Sequence, residues 1–195
     1  QGKVNFVTTA LQNLKPEEKP TVLLLQHAVQ DNVTSFSVPP ATWLQTIVAE
    51  TAGGTPVWKD SNTGNGWQVV TLDQIAAWNP QFIAIVDYGG GALDALAAIA
   101  AAPTWTSLQA AQAGTLAAFP LDYLSWDQPD PRWVLGLLWE ASILHPDRFP
   151  GYSLQADVTN FYHILYGLED ATISSSILPL LKGTFPGNSN KVMPQ

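Results

Sequence analysis

The chain has 195 residues, 46% of them apolar and 12% charged, which excludes a largely disordered polypeptide and suits one domain with a sizeable core. Its formal net charge of -8 argues against nucleic acid or an anionic membrane surface as partner. The lack of cysteine excludes disulfides, zinc–thiolate sites and thiol catalysis, and no apolar run reaches the ~18 residues that direct membrane insertion needs.

In chain order, "GKVNFVTTALQNL" (2–14) sets Val4, Val7, Leu11 and Leu14 on one helical face and predicts the end of an amphipathic helix. The charged linker "KPEEKP" leads to "TVLLLQHA" (21–28), a continuous apolar run that predicts a strand covered on both faces. Phe36 follows in "NVTSFSVPP". "ATWLQTIVAETAGG" (41–54) reads as a helix closed by glycines, and "TPVW" as a short strand. In "NTGNGWQVVTLDQIAAWNP" (62–80), Trp67 ends a polar, glycine-spaced loop, and Thr71 and Gln74 have the spacing of a capping box for a helix over 72–78. "QFIAIVDYGGG" (81–91) is a buried strand running into a glycine cluster. An Ala-rich helix, a second helix in "TSLQAAQAG" and a strand in "TLAAFP" (115–120) come next. The proline-rich "LDYLSWDQPDP" precedes a helix in "RWVLGLLWEASILHP", with Pro131 expected in its first turn. "LQADVTNFYHILYG" is a late helix, and "GTFPGNSNKVMPQ" reads as a flexible tail.

Strands alternating with helices predict an α/β domain, a three-layer sandwich whose mostly parallel central sheet joins 21–27, 82–87 and 115–119. The expected partition is 1–19 as helix end and linker, 20–182 as the lobe and 183–195 as tail.

Catalytic motifs are scarce. "DYGGG" (87–91) follows a strand, but neither G-x-G-x-x-G nor a Walker lysine is present. A Rossmann-like nucleotide-binding enzyme or regulator using that loop is the alternative reading, and it requires free backbone amides at Gly89–Gly91. His27, His145 and His163 show no metal-ligand spacing, and His145 at a helix end reads as a cation-like cap. No G-x-S-x-G elbow occurs. No catalytic residue, metal site or cofactor is assigned. What remains is aromatic: Trp67, Tyr88, Tyr123 and Trp126 each fall at or beyond an element end, where parallel sheets bind ligands, and Phe36 is placed to reach the same edge. Trp43, Trp78, Trp105, Trp133 and Trp139 fit helices or their ends, where core packing is the better reading for most.

From about residue 20 to 167 the ordered segments "PTVLLLQ", "WLQTIVAETAGGTPVW", "WQVVTLDQIAAWNPQFIAIV", "PTWTSLQAAQAGTLAAFP" and "SWDQPDPRWVLGLLWEASILHPDRF" resemble the C-terminal lobe of class III substrate-binding proteins of ABC importers. This is the cobalamin, siderophore and haem group, with the iron/B12 periplasmic-binding fold. The resemblance implies a metal-chelate small molecule as ligand, an ABC permease with its ATPase as partners, and an extracytoplasmic location. It implies a ligand-stacking role for Trp67. The loop before the "PR" step, which contacts ligand in cobalamin binders, here supplies Tyr123, Trp126, Asp127 and Gln128. Six residues beyond Trp67 the family carries an acid, usually Glu, that docks on a permease arginine; here it is Asp73, one methylene shorter. The family binds between two lobes, so the chain is expected to be half of a binding protein with a missing N-terminal lobe.

Overall fold

The computed structural model describes residues 1–186. One sheet contains β1 (Thr21–Gln30), β2 (Val33–Val38), β3 (Thr55–Pro56), β4 (Gln68–Val70), β5 (Phe82–Val86) and β6 (Leu116–Ala118). Its order is β4-β2-β1-β5-β6, with β3 beside the first residues of β1. β1, β5 and β6 run parallel, in registers that set Val22 beside Phe82 and Ile83 beside Leu116. Segments 21–27, 82–87 and 115–119 thus contribute to one sheet. The longer helices are α1 (Gly2–Ala10), α2 (Leu44–Thr51), α3 (Leu72–Trp78), α4 (Ala92–Ala101), α5 (Gln109–Ala113), α6 (Trp133–Leu144) and α7 (Leu154–Tyr166), followed by short helical turns over Asp170–Leu180.

The apolar continuity of β5 follows from burial on both faces, since all five of its residues are buried. Phe82 meets Trp139 of α6 with 6.2 Å between ring centroids. Alternation therefore turns Phe82, Ala84 and Val86 toward α6, and Ile83 and Ile85 toward the opposite layer. α6 is buried along 135–142 and packs against α1, α2 and α7, as suits a helix apolar on nearly every side. α4 and α5 lie against β5 and β6. The result is an α/β sandwich around a mostly parallel sheet.

Four local readings need correction. β1 does not end at Ala28: it runs to Gln30 and turns back through Asp31 and Asn32, at φ of 50° and 62°, into β2. Two consecutive positive-φ residues match the right-handed twist of the flanking strands, and Asp-Asn tolerates them. The ends of this hairpin are exposed, so "covered on both faces" holds only for Val22–Leu25. Pro131 precedes the N-cap, Arg132, and lies outside the first turn of α6. His145 is no cationic cap: it is buried, held below the usual histidine range by that burial, and its Nε2 lies 3.3 Å from the Gly53 carbonyl oxygen. Finally, residues 183–186 are described beside the sheet. Thr184 exchanges two hydrogen bonds with the backbone of Ala118 at the end of β6. The rest of the expected tail, 187–195, lies outside the described residues.

Candidate functional site

Asn62 organises the loop that presents Trp67. Its buried amide donates to the carbonyls of Val38 and Gly66 at 2.9 and 3.0 Å, and its Oδ1 accepts from Gly64 N. One side chain thus ties the glycine-spaced turn to the end of β2. The chain then enters β4, which pairs with β2 at Val38 and Gln68. Trp67 sits at this junction, partly buried. The capping box beyond it is present: Gln74 N donates to Thr71 Oγ1 at 3.2 Å and Thr71 N donates to Gln74 Oε1 at 2.9 Å. Asp73 is exposed in the first turn of α3.

Trp67 stands between two other rings. Its centroid lies 6.0 Å from Trp43 at 89° and 6.1 Å from Tyr88 at 67°, both edge-to-face contacts of the favoured kind. These rings, with Gln45 and Gln128, line a cavity of about 540 Å³ that has no charged residue in its wall. Tyr88 and Gln128 also line a second cavity, of about 330 Å³, with Tyr123 on its far side. Trp43 is the member that sequence reasoning assigned to a helix end and the core. It is the N-cap of α2, and its extended backbone turns the ring out of the helix. A tryptophan has no side-chain oxygen to cap a helix, where Ser, Thr, Asp or Asn is usual, and its sequence neighbours carry no signal of its place in the wall.

Behind this wall lies Asp127, only 2% exposed. Its Oδ2 accepts from Tyr88 Oη at 2.7 Å and from Gln45 Nε2 at 3.3 Å, while its Oδ1 has no partner among the described residues. The Tyr88 ring is 43% exposed, yet its hydroxyl turns inward. Burial and then the Asp127 charge raise its pKa well above the usual tyrosine value, so it stays a donor. Glu140 of α6 is also buried, and its Oε2 has no partner among the described residues. Its pKa is pushed up to about 8 by burial first and by the charge of Asp127 second. Glu140 is therefore mostly protonated at neutral pH.

The structure does not gather every candidate here. Trp126 is 0% exposed, not part of an open wall. Its Nε1 donates to Asp122 Oδ2 at 3.1 Å and its ring meets Phe185 at 6.4 Å. The same Asp122 accepts from Arg132 Nε at 2.8 Å and from Tyr162 Oη at 2.7 Å, a closed network that draws the indole inward. Phe36 also stands apart: it lies on β2 opposite His27, and its ring packs on Trp105 at 5.1 Å. Tyr123 is 62% exposed. The "DYGGG" loop closes on itself, with Gly89 N donating to Asp87 Oδ1 at 2.7 Å and Gly90 N to the Asp87 carbonyl at 3.0 Å. Two of the three amides that a nucleotide phosphate requires there, those of Gly89 and Gly90, are already occupied. Among the described residues no three of His, Cys, Asp or Glu converge as metal ligands.

Solved structures of periplasmic solute-binding proteins of ABC transporters share this fold. The solute-binding protein of Sulfurospirillum deleyianum superposes with a TM-score of 0.72 at 20% identity, over 89% of this chain and 52% of its own. CeuE of Helicobacter pylori, solved as a nickel–histidine complex, gives 0.71 at 20% identity over 89% and 52%. The molybdate-binding protein MolA of Haemophilus influenzae gives 0.69 at 20% identity over 86% and 48%. In sequence, MolA is 29% identical over 105 residues, 53% of this chain and 29% of its own. The chain spans about half the length of these solved structures. No protein-family profile matches it. Among the described residues no helix is long and apolar enough to cross a membrane.

Proposed function

We propose that the chain is the C-terminal lobe of the substrate-binding component of an ABC importer, acting without catalysis outside the cytoplasm. Its ligand is a bulky, partly planar metal chelate such as a siderophore, cobalamin or haem, delivered to the permease and its ATPase. The observation that carries this reading is the Trp43–Trp67–Tyr88 wall on the ligand-facing edge of the sheet, joined through Gln128 to the cavity at Tyr123. Aromatic rings suit flat ligands, and the absence of three convergent metal-ligating side chains among the described residues favours a chelate over a bare ion. A second lobe supplies the opposite wall, and this lobe on its own binds weakly, with about half the ligand surface left in water.

Tryptophan fluorescence during titration with haem, cobalamin and ferric siderophores tests the reading. A ligand that quenches the wild type should lose ~1–3 kcal/mol of affinity on Trp67→Ala. Quenching that is indifferent to Trp67 would sink it. Asp73 is the proposed permease anchor. Asp73→Lys should cost only ~0.3–1 kcal/mol of stability, as for any acid at a helix start. It should leave ligand affinity intact and weaken permease binding by the two-lobe protein at low salt. Unaltered permease binding reduces Asp73 to a helix-start acid.

A further inference from the structure

We infer that the Trp43–Trp67–Tyr88 cavity receives a cationic group of the solute, with the Asp127 carboxylate behind the wall as its counter-charge. This rests on the solute-binding reading and narrows the solute to one that is positively charged, or bears an ammonium-type group, where it meets this lobe.

Three observations converge on it. The rings flank a single cavity, and aromatic faces carry the negative lobe of a quadrupole that attracts cations. Asp127 touches that wall directly through the Tyr88 hydroxyl and the Gln45 amide, yet keeps Oδ1 unpartnered at 2% exposure. A buried acceptor left open is costly unless something completes it. No lysine or arginine pairs with Asp127 or Glu140 among the described residues. Arg132, the nearest cation in sequence, is committed to Asp122 and Asp130. The uncompensated charge sits in a low-dielectric environment, where it acts on the cavity more strongly than a surface carboxylate would. An oxyanion placed here finds no cation in the wall to hold it, and Asp127 lies behind that wall. The balance points one way.

The test is calorimetric titration of the purified chain with choline, with its neutral carbon isostere 3,3-dimethylbutan-1-ol, and with molybdate. About 0.3 M salt screens the general attraction of an acidic protein for cations. Choline should bind at least tenfold more tightly than the isostere, and molybdate should give no saturable heat. Asp127→Asn, which keeps the acceptor for Tyr88, should lower choline affinity at least tenfold and leave the isostere unchanged. Equal affinity for choline and the isostere, or tighter binding of molybdate, overturns the inference. If Asp127→Asn fails to fold, the choline-to-isostere ratio of the wild type decides it alone. A Trp67-dependent ferric siderophore titration with no preference for cationic probes leaves the solute-binding reading standing and this inference fallen. No Trp67-dependent binding of any probe overturns both.

Discussion

Asp122 and Asp127 lie in one proline-rich loop, each buried, and each accepts from a tyrosine hydroxyl at 2.7 Å. Tryptophan stands close by in both places, Trp126 at Asp122 and Trp67 against the Tyr88 that holds Asp127. Yet Asp122 is closed and Asp127 is open. The difference is a cation. Arg132 binds Asp122 at 2.8 Å, and its guanidinium also meets Asp130 at 2.7 Å and the Tyr162 ring at 5.9 Å. Every group there is satisfied, and the indole can be buried outright. Asp127 has only neutral donors and a second carboxyl, Glu140, as neighbours, so its rings stand at the rim of a cavity. Loop aromatics of like composition become core or candidate site according to whether the acid between them is neutralised.

The harshest challenge to that contrast is Asp122→Ala. It strands Arg132 and unties Trp126 and Tyr162, and breaking a buried pair should cost ~3–5 kcal/mol in urea denaturation. A loss below ~1 kcal/mol means the closed network is not what buries Trp126. Next is Gly136→Ala. A Cβ there meets the Trp126 carbonyl oxygen at 2.5 Å, and the cost of forcing α6 away from the loop should be ~1–3 kcal/mol. An unchanged midpoint shows that the loop yields freely.

The open site should reveal itself through pH. Glu140 is protonated more readily in the folded chain, with a pKa of about 8 against 4.5 unfolded, so the folded state binds more protons between these values. Stability from this group is full below pH ~4.5 and is lost as pH rises through ~8. Between pH 7 and 9 the wild type should lose ~1–2 kcal/mol, and Glu140→Gln should flatten that slope. His145 adds the opposite trend, its stability falling as pH drops below its unfolded value near 6.5, so the alkaline window isolates Glu140. A wild-type slope that persists in Glu140→Gln removes the coupled pair from the account. The smallest effect belongs to Tyr123→Ala. Its exposed ring should contribute within ~0.5 kcal/mol to stability, and a larger loss in thermal melts means the second cavity is a packed element of the fold.

Apolar runs and local signals marked strands within 81–91 and 115–120 and helices within 72–78, 132–146 and 154–167, because runs such as Phe82–Val86 and the largely apolar α6 have no other way to leave water. The capping box at Thr71 and Gln74 is equally local, involving residues three apart. Of the candidate site, Trp67 and Tyr88 were legible as residues beyond element ends, and Gln128 only through the family resemblance. Trp43 was not, since nothing within a few residues of it announces that β2 and β4 bring Trp67 against its ring. Nor was the hairpin at Asp31–Asn32, where an apolar run masked the turn until its two positive φ values were set by pairing with β2.

Patterning with a reach of one turn or one strand pair was therefore enough to determine the fold class, an α/β domain with a mostly parallel sheet and aromatic residues beyond its element ends. Tertiary structure decided which loop aromatics stayed open. Trp126 and Asp127 are adjacent in sequence, but their surroundings come from residues far along the chain: Arg132, Tyr162 and Phe185 for one, Gln45 and Tyr88 for the other. Burial and charge compensation are sums over such distant neighbours, and a linear pattern does not contain them.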